Sequence, residues 1–153
     1  MCYYTQNWIG NIITRLPLAN KCPPTSINPQ IHDFKPGGML VVTGAAGAFG
    51  SMAAQPGKMR GLLIVGIAGG PAKAAFLKKT LGMDDPIDYR AEDFAAWVRR
   101  ALPNGINAFF ESVGRLIFPV LLDHFNRNAK MVICGTISDY SDTQLPTGTN
   151  YLP

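Results

Sequence analysis

The heptapeptide Gly44-Ala45-Ala46-Gly47-Ala48-Phe49-Gly50 follows an apolar run and opens into Ser51-Met52-Ala53-Ala54-Gln55. Glycines at this spacing suit one kind of chemistry: they let phosphate oxygens approach backbone N–H groups at the positive end of a helix. In the dinucleotide register, Ala45 takes the tight turn, Gly47 the close approach and Gly50 the contact between helix and strand. Gly47, Ala48, Phe49 and Gly50 are therefore the candidate pyrophosphate cradle. A glycine-rich turn that packs tightly and holds nothing has the same composition. Context separates the two readings, because here a strand precedes, a helix follows and a βαβ unit begins.

The end of the second apolar run bears on which nucleotide would fit. A site for an unphosphorylated adenosine ribose places an Asp or Glu about 20 residues beyond the glycines. This chain has Gly66-Ile67-Ala68-Gly69-Gly70 there, with Lys73 one turn on. Loss of the carboxylate leaves room for a 2′-phosphate, and lysine supplies a compact cation for it. NADP(H) is the expected cofactor over NAD. Were the acid not also missing, Lys73 would read nearly as well as a solvated helix lysine. Tyr89, at the end of the third run, suits either packing along the adenosine and bonding the same phosphate, or a boundary position half in the core.

Other chemistries find little support. His32 and His124 belong to no metal-ligand spacing, and neither a G-x-S-x-G elbow nor a G-K-[ST] loop is present. Asp84, Asp85 and Asp88 read as a solvated turn. A methyltransferase shares a similar first loop but would leave Lys73 without a partner.

These residues need a scaffold, and the chain supplies a regular one from Pro36 onward. Apolar runs at Met39–Thr43, Leu62–Ile67, Pro86–Tyr89, Ile106–Phe110 and Lys130–Cys134 alternate with segments of helical period. Ala91–Leu102 has Glu92 and Asp93 in its first turn, Arg99 and Arg100 in its last, and one apolar face of Phe94, Trp97, Val98 and Ala101. Ala72–Leu81 follows Pro71, suited to a first helical turn, and ends at Gly82 as cap. Continuous strands alternating with amphipathic helices predict a doubly wound, mostly parallel α/β sheet of about five strands, Rossmann-like. Two prolines cut across the pattern. Pro56-Gly57 predicts that the first helix ends near Gln55, and Pro119 disrupts a helix over Leu116–Phe125. Residues 1–35 form a separate, poorly regular segment, so the expected division is 1–35 and 36–153.

Composition narrows the class. Apolar residues make up 47% of the 153 and charged residues 16%, which suits one globular domain rather than a disordered chain. The net charge of +4 arises wholly in residues 1–60, where five Lys/Arg face one acid; the remainder holds nine of each. No basic run or aromatic-interleaved stripe occurs, which argues against nucleic acid as a partner. Three cysteines without a C-x-x-C pair favour a reducing, cytoplasmic setting. The longest apolar run, Gly61 to Ala72, is short of the roughly 18 residues of a membrane span, so no membrane partner is expected.

On Val42-Thr43-Gly44-Ala45-Ala46-Gly47-Ala48-Phe49-Gly50, Val65-Gly66-Ile67-Ala68-Gly69-Gly70, Ile87-Asp88-Tyr89-Arg90, Phe110-Glu111-Ser112-Val113-Gly114, Ile133-Cys134-Gly135-Thr136-Ile137-Ser138-Asp139-Tyr140 and Asn150-Tyr151-Leu152, residues 34–153 resemble one family. It is the zinc-independent medium-chain dehydrogenase/reductases, in the branch of prostaglandin, alkenal double-bond and curcumin reductases. The resemblance implies reduction of the C=C bond of an α,β-unsaturated ketone or aldehyde by hydride from NADPH, and a homodimer paired through the last strand. It also implies a pyrophosphate on Gly47–Gly50, a 2′-phosphate on Lys73 and Tyr89, and a nicotinamide side lined from Cys134 and Gly135 to Tyr140. Ser112 stands where the family has Asn. The family's substrate-facing domain has no counterpart here, which keeps a second class open: an NADP-binding module without turnover.

Overall fold

A computed structural model describes residues 34–139. Five strands form one sheet: β1 (Met39–Thr43), β2 (Leu63–Ala68), β3 (Asp85–Asp88), β4 (Ile106–Glu111) and β5 (Phe125–Ile133). Their order is β3-β2-β1-β4-β5, and every pairing is parallel, with Val41 opposite both Val65 and Phe109. The helices between them are α1 (Ala48–Met59), α2 (Pro71–Lys79), α3 (Phe94–Ala101) and α4 (Phe118–Leu121). This is the doubly wound architecture that the alternation of runs predicts.

The strands are apolar at successive positions because both faces of the sheet are covered. Met39 and Val41 point to one core with Val65, Ile67, Phe109 and the α3 residues Phe94 and Val98. Leu40 and Val42 point to the other, with Ile64, Phe110, the α1 residues Ala53 and Ala54, and Leu77 of α2. Side chains alternate across a strand, so one run of five residues builds both layers.

Several sequence expectations need correction. The first helix does not end near Gln55 but runs on to Met59, with Pro56 and Gly57 buried inside it. Proline in a helix interior costs about 3 kcal/mol. Packing offsets it: a Cβ on Gly57 would lie 2.5 Å from Leu40 Cδ2 and 3.0 Å from Ile64 Cδ1, so only glycine lets the helix lie this close to the sheet. The Lys58 ammonium also donates to the Gly82 carbonyl, tying the helix end to the loop before β3. In α3, Glu92 and Asp93 precede the first turn rather than occupying it, with Asp93 at the N-cap position. Trp97 leaves the apolar face; its ring is exposed and stacks under the Arg100 guanidinium at 3.8 Å.

Strand β5 starts five residues before the expected Lys130. Phe125 anchors that early start, meeting the Phe109 ring edge-on at 5.4 Å, and the Asn126 amide donates to the Asn104 carbonyl at 2.8 Å. Polar Asn126-Arg127-Asn128 hides this stretch from a reading by apolar runs. Asn128, with φ of 65°, marks the irregularity. Pro119 lies in the first turn of the four-residue α4, where its missing N–H costs no helix bond.

Candidate functional site

The crossovers from β1 and β4 leave in opposite directions along the sheet, so a crevice opens between the carboxyl ends of these two strands. Ligands of doubly wound sheets bind at such a switch point. A cavity of about 520 Å³ lies there, within the usual ~300–1,000 Å³ of small-molecule sites.

Its centre is the glycine loop. Gly44 has φ of +58°, while Ala45 has a negative φ and is fully buried, its N–H donating to the Ile67 carbonyl at 3.0 Å. The tight turn thus falls on Gly44, not on Ala45 as the sequence register suggests. Gly47 caps α1 with no side chain, and a Cβ there would meet only the Gly44 carbonyl oxygen, at 3.2 Å. Gly50 is different: a Cβ would lie 2.5 Å from the Gly44 oxygen and 2.6 Å from Ala45 Cα. Gly50 is needed by the fold, whereas Gly47 leaves space at a helix start whose first N–H groups have no intrahelical acceptor.

One end of the cavity is built by β2, α2 and β3. Gly70 has φ of 98°, and its N–H donates to Asp88 Oδ1 at 2.7 Å, as does the Arg90 N–H at 2.9 Å. Those two bonds hold the Asp88 carboxyl below the usual carboxylate range, the one from Gly70 contributing most. Asp88 thereby clamps the turn after β2 to the end of β3. Asp84 is structural as well, accepting from the Ile64 N–H at 2.8 Å. The expectation of a solvated acidic turn is therefore wrong for both residues. Each accepts a backbone N–H from β2 or the turn after it, 20 and 18 positions away, which the spacing of the acids alone does not reveal. A Cβ on Gly69 would fall 2.9 Å from the Tyr89 ring, so glycine admits that ring to the cavity wall. Lys73 is exposed in the first turn of α2 and also lines the cavity.

The other end is built by β4, β5 and the segment after each. Ser112 donates its hydroxyl to the Thr43 carbonyl at 3.1 Å, and its N–H to Thr43 Oγ1 at 2.9 Å. Cys134 hangs from the Glu111 carbonyl by its N–H at 2.8 Å, and burial pushes its thiol up to about 11. Cys134 is therefore a thiol, not a thiolate, at neutral pH. Among the described residues no group of three or more His, Cys, Asp or Glu is placed to hold a metal ion.

All nine described candidates, Gly47, Ala48, Phe49, Gly50 and Lys73 with Tyr89, Ser112, Cys134 and Gly135, line this one cavity. Tyr140 lies outside the described residues. The sequence reading missed Val113, which also lines it, as does Ile137 within the expected Cys134–Tyr140 stretch. It missed Glu111 too, a carboxylate directly after the apolar Ala108-Phe109-Phe110, which was the available signal. The cavity is elongated in composition: a cation and a phenol at one end, helix N–H groups at the centre, a hydroxyl, a thiol and apolar walls at the other. Such an arrangement can hold a long anionic ligand; the nine residues include no acid–base pair.

The sequence matches the family model described as zinc-binding dehydrogenase over residues 48–151. It is 40% identical over 124 residues to the NADPH-dependent curcumin reductase of Escherichia coli strain K12, covering 81% of this chain and 36% of that protein. It is 34% identical to (+)-pulegone reductase of Mentha piperita, covering 80% of this chain and 36% of that one. Among solved structures, CurA from Vibrio vulnificus in complex with NADPH superposes with a TM-score of 0.74 at 44% identity, over 79% of this chain and 36% of that chain. The chain thus spans about a third of the length of the relatives it matches.

Proposed function

The chain belongs to the zinc-binding dehydrogenase family, in a zinc-independent branch of medium-chain dehydrogenase/reductases, and from that premise we propose that it is the NADP(H)-binding part of a reductase. The substrate class is the C=C bond of α,β-unsaturated ketones or aldehydes. One observation carries the reading: a single cavity at the switch point gathers the glycine loop, Lys73 and Tyr89 at one end and Ser112, Cys134 and Gly135 at the other.

The cradle fits the cofactor. Gly47 leaves open the volume a pyrophosphate requires, and the uncapped start of α1 offers its N–H groups. Lys73 and Tyr89 hold the 2′-phosphate beside the turn that Asp88 clamps. Ser112, Cys134 and Gly135 border the nicotinamide, which supplies the hydride when bound. Tyr140, following on the same segment, is assigned to that side. The remaining parts of the reading are a dinucleotide-binding unit over 36–153 preceded by a distinct segment 1–35, a homodimer and a cytoplasmic location. No helix among the described residues is long and apolar enough to cross a membrane.

The test is an NADPH titration by calorimetry followed by turnover with an α,β-unsaturated ketone. Binding with turnover supports the reductase. Binding without turnover selects a nucleotide-binding module instead, since transfer needs a substrate aligned against the nicotinamide. No binding sinks both.

A further inference from the structure

Glu111 ends β4 with its side chain buried, only 3% exposed, and it does not line the cavity. Its Oε1 accepts from the Gly114 N–H at 2.7 Å, from the Val113 N–H at 2.5 Å and from the Thr43 hydroxyl at 3.0 Å. Oε2 has no hydrogen-bond partner among the described residues. Burying a carboxyl with one oxygen unsatisfied costs free energy, and mere support of a sheet would not require it.

The bonds lead outward to the cavity. Thr43, which donates to Oε1, also accepts the Ser112 N–H. Val113 and Gly114 are held directly. The segment after β5 is then suspended from the loop so formed: the Cys134 N–H donates to the Glu111 carbonyl, the Ile137 N–H to that of Ser112 at 3.2 Å and the Ser138 N–H to that of Val113 at 2.9 Å. One carboxyl oxygen thus fixes Ser112 and Val113 and, through their carbonyls, the placement of Ile137 and Ser138, while Cys134 hangs from the backbone of Glu111 itself. It also joins β1 to β4 across the switch point. Nothing in this chain of bonds reaches Lys73 or Tyr89.

We infer that Glu111 is the positioning residue for the nicotinamide end of the cavity, acting through the Thr43–Ser112–Gly114 network and not on the adenosine end. The inference rests on the nucleotide reading above. Its test compares two ligands on the whole chain: NADPH, which reaches both ends, and 2′,5′-ADP, which lacks the nicotinamide. Glu111→Ala should weaken NADPH about tenfold or more and leave 2′,5′-ADP within about twofold, because small misplacements are costly and the adenosine end shares no bonding partner with Glu111. Glu111→Gln keeps an acceptor oxygen and should restore NADPH to within about threefold of the parent. If Glu111→Ala does not fold, Thr43→Val decides, since it removes the hydroxyl that joins Glu111 to the Ser112 N–H with little change of volume; the same selective loss is expected, at about threefold or more. Equal losses for both ligands, or unchanged NADPH binding in folded Glu111→Ala or Thr43→Val, overturn the positioning role. A parent chain that binds neither ligand overturns the nucleotide reading, and this inference with it.

Discussion

The two ends of the cavity solve the same problem by different means. At the β2–β3 end, shape comes from local backbone: Gly70 at φ of 98°, Gly69 beneath the Tyr89 ring, and Asp88 bonded to neighbours 2 and 18 positions away. At the β4–β5 end, shape comes from a buried network whose members, Thr43 with Glu111 and Ser112, are 68 and 69 positions apart. A turn fixed by glycines tolerates exposure and carries its cation on the surface. A network fixed by a buried carboxyl needs the whole sheet to be formed first. The first end should therefore vary by electrostatics, and the second by packing.

The largest effects lie where the ends meet, at the glycine loop. Gly50→Ala places a methyl against backbone that cannot retreat, and should cost about 3 kcal/mol of stability, seen as a lowered urea midpoint. Gly47→Val brings its Cβ against the Gly44 carbonyl oxygen alone, at 3.2 Å, and should cost less stability than Gly50→Ala, about 1 kcal/mol. It should still weaken NADPH by at least about 3 kcal/mol, since the branched side chain takes the pyrophosphate's place. Calorimetry on both variants separates the roles. If Gly47→Val binds NADPH undiminished, the loop is only a turn.

At the β2–β3 end, Lys73→Ala should weaken NADPH by about 1–3 kcal/mol and leave NADH unchanged, as expected for one charge-assisted hydrogen bond to the 2′-phosphate. Equal loss of both cofactors would remove Lys73 from that role. Gly70→Ala meets no atom within 4 Å, so its cost is conformational alone, about 1–3 kcal/mol for an L-residue at a φ of 98° and ψ of 148°, a region essentially reserved to glycine. A thermal midpoint that does not move would show that this turn relaxes freely.

The same contrast explains what could be read from the amino-acid order. Met39–Thr43 is observed as expected because a run of β-branched and aliphatic residues has no other stable place than a buried strand. The glycine loop was legible because its requirement is local. Gly44 took the turn in place of Ala45 because positive φ favours glycine, a one-residue shift that the motif's spacing conceals. The course of α1 through Pro56-Gly57 was not legible, since what offsets the proline is contact with Leu40 and Ile64 on neighbouring strands. The roles of Asp88 and Glu111 were not legible, for related reasons. Both serve backbone N–H groups, and those of Glu111 matter only because Thr43 is brought alongside by the sheet.

The smallest predicted effect is also the sharpest test of the contrast, because the two carboxyls shift in opposite directions. Asp88 lies below the ordinary range because the Gly70 N–H, then that of Arg90, bonds its charged form. Its contribution to stability is complete above the unfolded value of about 3.9 and is lost as pH falls through the lower folded value. Glu111 lies above the ordinary range because burial penalises its charge more than the bonds from Gly114, Val113 and Thr43 favour it. Its contribution is complete below about 4.3 and is lost as pH rises through the higher folded value. Amide exchange, expressed as protection relative to the unstructured rate, should therefore fall toward acid at Gly70 and Arg90 and fall toward neutral pH at Val113 and Gly114. Asp88→Asn should flatten the first dependence alone, and Glu111→Gln the second alone. If both pairs of amides follow one pH curve, the ends open together as part of a single global event, and the division into a locally fixed end and a network-fixed end fails.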